Sequence, residues 1–256
     1  VSAEGQFALD SVVDQTQWLD EVDSTNAYLA GHKTNDSAIV LSWNQTKGRG
    51  RLGREWVSPE GGSLALSVAL WPEVVPQSLT PEWLGAVSLV TGASLADALR
   101  PHLATTVRVK WPNDVLVGGK KVAGILGEVT SDSRVIVGVG LNVSLTESEL
   151  PTPLSTSLAL HGFRANLETV VSAFLRELRV SLTGFEGGLS REKRAWVSEQ
   201  CDTIGSEVRV ELPGGVSRLG RATELDYAGR LLVHFSDTDS VETVDAADVI
   251  HLRPAN

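Results

Sequence analysis

The 256-residue chain has no methionine, a single cysteine and few aromatic residues. With Cys201 alone, neither an intramolecular disulfide nor a cysteine-based zinc cage can form. The five histidines, His32, His102, His161, His234 and His251, lie far apart in sequence and make no local ligand pair, so no protein metal site is expected. No apolar run is long enough to span a bilayer, and the N-terminal residues lack the basic and apolar regions of a secretory signal. No membrane partner is therefore expected, and the expected compartment is the cytoplasm. Basic residues are in the minority: 22 Lys and Arg against 32 Asp and Glu leave a formal charge of −10. That balance argues against a broad nucleic-acid-binding surface, and no nucleic acid partner is expected. Any polyanion must bind at a local site.

One segment concentrates the cations that are present. Lys47-Gly48-Arg49-Gly50-Arg51-Leu52-Gly53-Arg54-Glu55-Trp56 alternates charge with glycine in a way no packed core would use. Glycine admits backbone conformations closed to other residues, and arginine presents a planar fork matched to carboxylate or phosphate. The plain reading is a solvated turn; the regular spacing ended by Trp56 reads instead as a mobile loop that binds an anion. It is not a Walker loop, because the Gly-Lys-Ser/Thr ending is missing, and no helix pattern follows to make a dinucleotide fingerprint.

Around this loop the pattern alternates between strands and helices. Residues 1–22 are polar and weakly patterned and read as a lead-in. Asp23-Ser24-Thr25-Asn26 signals a helix start, ending near Gly31. Ala38–Leu41 and Ser63–Leu70 are apolar enough for buried strands. Thr80-Pro81-Glu82 opens a long helix ended near Pro101. Strand-like segments follow at Val107–Lys110, Val115–Val117, Val122–Val129 and Val135–Val143, with Gly118-Gly119 as a hairpin turn. From Asn166, apolar residues at helical spacing predict a helix whose face packs on the sheet. After Cys201 short strands separated by glycine pairs predict a small β-barrel of roughly 50 residues, too small to be more than marginal alone.

Four polar clusters invite a chemical reading. Ser24-Thr25-Asn26 is either a helix cap or a cradle for a polar head group. Gln45 leads into the arginine–glycine loop. Lys110-Trp111-Pro112-Asn113-Asp114 must turn at its proline and so presents Lys110, Asn113 and Asp114 together. Lys120-Lys121-Val122-Ala123-Gly124-Ile125-Leu126 and Gly138-Val139-Gly140-Leu141-Asn142 place glycine inside strands, which signals close approach of a ligand or another backbone.

Each cluster alone is weak, but their order is specific. Ser-Thr-Asn, Gln-x-x-Gly-Arg-Gly-Arg-x-Gly-Arg-x-Trp, Lys-Trp-Pro-Asn-Asp, Lys-x-Ala-Gly-Ile-Leu and Gly-x-Gly-x-Asn, running from Ser24 to Asn142, resemble the biotin protein ligases. The resemblance implies an α+β fold: a mixed, largely antiparallel sheet packed by helices over residues 1–200, then an SH3-like β domain over residues 201–256. Too few residues precede Ser24 for the DNA-binding domain of the repressor members, so the resemblance is to the monofunctional class. It implies an enzyme that uses ATP with Mg²⁺ to convert biotin to biotinyl-5′-AMP, then transfers it to a lysine of a biotin carboxyl carrier domain. A monomer and a ligand-linked homodimer both remain open. Lipoate or octanoate ligases and transferases are the alternative, with a DNA-binding regulator and a pure binding module behind them.

Carried over by position, the resemblance makes Lys121, Arg51 and Asp114 catalytic. Ser24, Thr25, Asn26, Gln45, Gly48, Arg49, Gly50, Arg51, Lys121, Gly124, Gly138, Gly140 and Leu141 fall on the biotin side. Arg49, Arg51, Arg54, Trp56, Lys110, Asn113 and Asn142 fall on the ATP and adenylate side. Lys47, Glu55 and Gly127 depart from the usual pattern without removing a functional group.

Overall fold

A computed structural model describes residues 9, 12–32, 37–71, 83–185, 188–212, 215–245 and 251–254. The first half holds β1 (Gln15–Leu19), α1 (Thr25–Gly31), β2 (Ala38–Ser42), the two-residue strands β3 (Gly48–Arg49) and β4 (Glu55–Trp56), β5 (Ser63–Ala69) and α2 (Leu84–Leu99). Then come β6 (Val107–Lys110), β7 (Asp114–Val117), β8 (Lys120–Val129), β9 (Val135–Asn142), α3 (Leu167–Leu182) and α4 (Arg191–Gln200). The chain ends with β10 (Glu207–Glu211), β11 (Ser217–Leu225), β12 (Leu231–Phe235), β13 (Ser240–Val244) and β14 (His251–Pro254).

The large sheet runs β1-β2-β5-β9-β8-β7-β6; only β1 and β2 pair in parallel, so the sheet is mixed and largely antiparallel as expected. β1 is the correction to the polar lead-in. It is an edge strand whose Gln-Thr-Gln alternation carries little apolar signal, and it follows directly on buried Leu9, Val12 and Val13. Between β7 and β8, Gly118 and Gly119 turn with φ of 57° and 78°, the left-handed pair that a two-residue hairpin requires.

α2 is buried on nearly every side, Ser88, Thr91 and Ser94 included. A helix without a polar face must be covered all round. One side takes β6, β7 and β8; the other takes α3. The apolar stripe of α3 (Val170, Val171, Phe174, Leu175, Leu178) therefore packs along α2, not directly on the sheet as its spacing alone predicted. The expected opening of α2 at Thr80-Pro81-Glu82 lies outside the described residues. α4 carried too little apolar residue to be seen in the sequence; it is held by Trp196 Nε1 donating to Asp97 at 3.0 Å and by Arg100 bridging Asp97 and Gln200.

The second sheet is antiparallel, in the order β13-β12-β11-β10-β14. It is locked to the first through the Lys-Trp-Pro-Asn-Asp turn. Trp111 is fully buried; its backbone N–H donates to Thr203 Oγ1 at 3.1 Å and its indole N–H to the Gly229 carbonyl at 3.0 Å. Asp202 N–H donates to the Val109 carbonyl at 2.9 Å. Trp111→Phe keeps the aromatic packing but orphans the buried Gly229 carbonyl, a loss of about 1–3 kcal/mol. The expected result is a melting temperature lower by roughly 2–4 °C per kcal/mol. An unchanged transition in calorimetry would show that this bond does not hold the second sheet in place.

Candidate functional site

On one face of the large sheet the side chains nearly vanish. Ala65 pairs with Gly140 and Ser67 with Gly138 across β5 and β9, and Gly124 of β8 pairs with Gly140 from the other side. The result is a trough whose floor is backbone. Its walls are the N-terminus of α1, the β3–β4 ribbon and the Lys110–Asp114 turn.

At the α1 wall, Ser24 caps the helix, its Oγ accepting from the Ala27 N–H at 3.4 Å. The cap reading is correct, and Ser24 also lines the smaller of the two cavities at the site. The next two residues are engaged differently. Gln45 Oε1 accepts from Thr25 N–H at 2.9 Å and faces Thr25 Oγ1 at 3.2 Å. Asn26 Oδ1 accepts from Ser67 Oγ at 2.5 Å. Its Nδ2 donates to the Leu126 carbonyl at 3.2 Å and to the Glu128 carboxylate at 2.6 Å.

The arginine–glycine segment is not a featureless loop. Gly48 pairs with Trp56 and Arg49 with Glu55, and Gly50 N–H donates to the Arg54 carbonyl at 2.7 Å. Exposed Leu52, with φ of 57°, forms the tip. Arg49 reaches back to Glu128 at 3.0 Å, tying the ribbon to the sheet. Arg51 lies deeper, and burial lowers its pKa from the usual arginine value, opposed chiefly by Asp114. A guanidinium remains charged at neutral pH under such a shift.

Lys121 owes its position to a bulge. Val115 pairs with Ala123 but Leu116 with Lys121, so Val122 is an extra residue and the strand alternation is reset. Lys121 and Gly124, three apart, thereby reach the same face. Lys121 Nζ pairs with Asp114 Oδ1 at 2.6 Å and lies 5.5 Å from the Trp56 ring centroid, within cation–π range. The Trp56 ring lies on the glycine floor itself: a Cβ at Gly140 would meet Trp56 Cε2 at 2.4 Å, and one at Gly124 would meet Trp56 Cζ3 at 3.0 Å. In this structure the space expected for a ligand ring is filled by an indole.

The ribbon divides two cavities. The smaller, about 230 Å³, is lined by Ser24, Thr25, Asn26, Gln45, Lys121 and the three floor glycines, and it also meets Lys110 and Asp114. The larger, about 1070 Å³, lies between the ribbon, the start of α2 and the second sheet, and is lined by Gly48, Arg49, Arg51, Arg54, Asn113, Glu128 and, from the second sheet, Arg230 and Asp245. Ligand pockets commonly span about 300–1,000 Å³, so the smaller falls short while Trp56 occupies it. Arg49, Gly50, Arg51, Arg54 and Trp56 line both.

Two expected site residues are not at the cavities. Leu141 points to the opposite face and is fully buried in the core. Asn142 is buried with its Oδ1 accepting from Ser63 Oγ and its Nδ2 donating to the Thr156 carbonyl, both at 3.0 Å, so it braces strands. Asn113 does face the site, but its Nδ2 is committed to the Ile125 carbonyl at 2.6 Å. Ser67, Glu128, Arg230 and Asp245 went unread. Ser67 had a signal, the period-two run of small residues Ser63-x-Ala65-x-Ser67; the others are placed only by tertiary contact.

Residues 18–144 match the Biotin/lipoate A/B protein ligase family and residues 203–252 the Biotin protein ligase C terminal domain. The chain is 36% identical over 243 residues to the biotin--[acetyl-CoA-carboxylase] ligase of Mycobacterium tuberculosis, covering 91% of this chain and 87% of that protein. It is 33% identical to the bifunctional ligase/repressor BirA of Escherichia coli over 84% of this chain and 68% of that protein. Among solved structures, the biotin protein ligase from Aquifex aeolicus in complex with biotin and ATP superposes with a TM-score of 0.77 at 29% identity, covering 94% of this chain and 99% of that chain.

The indole-on-glycine contact makes a sharp expectation. Gly140→Ala places a methyl group inside the Trp56 ring, which can swing toward the larger cavity, so tryptophan emission shifts to the red at a stability cost of about 1 kcal/mol. Gly48→Ala instead strikes the Trp56 backbone carbonyl at 2.3 Å and breaks the ribbon pairing. Emission from Gly140→Ala equal to the parent, each read against its Trp56→Phe version, would show that the indole does not rest on this floor.

Proposed function

We infer the reaction from one premise: this chain belongs to the biotin/lipoate A/B protein ligase family, as a biotin protein ligase. It joins biotin to a carboxylase at the expense of ATP. The biotin carboxylate attacks the α-phosphorus of ATP; an O–P bond forms, the α–β bridge bond breaks, and pyrophosphate leaves. The acceptor lysine of a carrier domain then attacks the mixed anhydride, losing a proton as the C–N bond forms and AMP departs.

The observation that carries this reading is the shared arginine wall. A small polar cradle and a large cavity meet along Arg49, Arg51 and Arg54, with Lys121 beside the join. Two anions brought together repel, and fixed cations in a site shielded from water offset that repulsion where it is largest. In our assignment Thr25, Asn26 and Gln45 take the ureido head, and Gly124, Gly138 and Gly140 take the ring once Trp56 has moved off. Arg51 and Arg54 take phosphate. Lys121 bridges carboxylate and α-phosphate, exchanging its partner Asp114 for substrate. Asp114 and Lys110 then lie where the acceptor amine must lose its proton.

No group of three or more His, Cys, Asp or Glu among the described residues is placed to hold a metal. ATP chemistry itself implies Mg²⁺, which would enter as MgATP held chiefly by phosphate and water. We take residues 1–200 as the catalytic domain and 201–256 as the C-terminal domain, which contributes Arg230 and Asp245 to the larger cavity. The net charge of −10 supports a protein and not a nucleic acid as the macromolecular partner. The polar cradle favours a ureido head over the dithiolane of lipoate, and ATP–pyrophosphate exchange that requires biotin and ignores lipoate decides between them.

Lys121→Ala is expected to lower pyrophosphate release from biotin and MgATP by at least about 100-fold, the scale of removing one preorganised charge at the reacting centre. Near-normal release would take Lys121 out of this role. Arg51→Gly is expected to loosen the ribbon's hold on the adenylate, so that biotinyl-AMP escapes and labels an unrelated protein in the mixture. Labelling no greater than with the parent enzyme would refute that hold.

A further inference from the structure

Glu128 is unused by the chemistry above, yet it joins three elements of the site. It stands near the end of β8 on the face of Gly124 and Leu126, and its Oε2 accepts from Asn26 Nδ2 at 2.6 Å and from Arg49 at 3.0 Å. Asn26 is almost wholly buried, at 4% exposure, so how its amide points has a large energetic consequence.

An amide nitrogen has two hydrogens, and an amide oxygen accepts two bonds. Both Asn26 hydrogens are taken, by the Leu126 carbonyl and by Glu128. Turning the amide over would set its oxygen against a carbonyl and a carboxylate, which repels it. The oxygen is therefore fixed toward the floor, where a Cβ at Gly138 would come within 2.3 Å of it, and it receives one bond, from Ser67. Among the described residues no other donor reaches it, which leaves one accepting position. We propose that Glu128 is a positioning residue that makes Asn26 an obligate hydrogen-bond acceptor in the cradle, and so selects a substrate head that donates an N–H.

This rests on reading the cradle as the biotin site, where the ureido group is such a donor. A head without an N–H leaves the Asn26 oxygen short of a bond in a buried setting, and sites built to bond a donor reject its absence strongly. The same carboxylate also pairs with Arg49, a second contact separable from the first. Carboxylate and amide acceptors differ in the second contact more than in the first: a glutamine oxygen can still accept from Asn26, whereas the ion pair with half-exposed Arg49 contributes little.

The test is steady-state pyrophosphate release by the full chain with biotin and MgATP, comparing the parent with Glu128→Ala and Glu128→Gln. The charge-assisted bond to Asn26 sets the expected scale: Glu128→Ala raises the KM for biotin about tenfold, with kcat and the KM for ATP within about twofold. Glu128→Gln returns the biotin KM to within about threefold of the parent. In an Asn26→Ala background, Glu128→Ala adds nothing further, because its effect passes through Asn26. A biotin KM unchanged in Glu128→Ala overturns the proposal, as does a glutamine variant as impaired as alanine or an undiminished effect in the Asn26→Ala background. If Glu128→Ala does not fold, Glu128→Gln decides alone, and a tenfold rise there overturns it. A parent enzyme that releases no pyrophosphate with biotin would remove the ligase reading itself; an active parent with unaffected variants removes only the role of Glu128.

Discussion

Across β5, β9 and β8 the sheet presents residues too small to fill the space above them, and the rest of the site follows from that vacancy of side chain. Packed interiors leave few voids, so something must lie over Ala65, Gly124, Gly138 and Gly140. In this structure it is Trp56, delivered by a ribbon whose own backbone is pinned at Gly48 and Gly50. The same bareness brings Lys121 and Asn26 within reach of anything lying on the floor. The opposite face of the same strands is dense with Val137, Val139, Leu141 and Ile125, buried in the core that α2 also enters. One sheet thus has a face that packs and a face that receives.

Charge is arranged with the same division. The chain as a whole is acidic, but the ribbon carries Arg49, Arg51 and Arg54, and two cations at the floor pair with carboxylates: Arg49 with Glu128 and Lys121 with Asp114. Both pairs are partly open to solvent, where ion pairs are weak. They hold the cations in place without binding them so tightly that an anionic ligand could not displace the partner. A fully buried pair would have been costly to separate.

Much of this was legible in the sequence. The turn at Gly118-Gly119, the helix starts at Ser24 and Asn166 and the strands from Val107 to Asn142 each declare themselves through local chemistry. What was not legible depends on partners remote in sequence. β1 lacks an apolar pattern because it is an edge strand, and α3 covers α2 because α2 has no polar side to give to solvent. The bulge at Val122 cannot be read from Lys-Lys-Val-Ala-Gly, yet it decides which way Lys121 points. Glu128 reads as an ordinary strand residue, because the Asn26 amide it holds lies more than a hundred positions earlier. Gly138 and Gly140 marked a close approach correctly, but the sequence did not say that the approaching groups would be Asn26 and Trp56. Asn142, two residues beyond the glycine pair, reads as part of the same signal, but its amide bonds Ser63 and Thr156.

The β3–β4 ribbon forms one side of both cavities, and that has a thermodynamic consequence of its own. A ligand in either cavity shifts the ribbon's equilibrium only by the difference in its affinity for the two ribbon positions. Whatever affinity the first ligand thereby lends to the second, the second must lend to the first in equal measure. A partition thin enough to be touched from both sides makes the two occupants reciprocal, without either needing to contact the other.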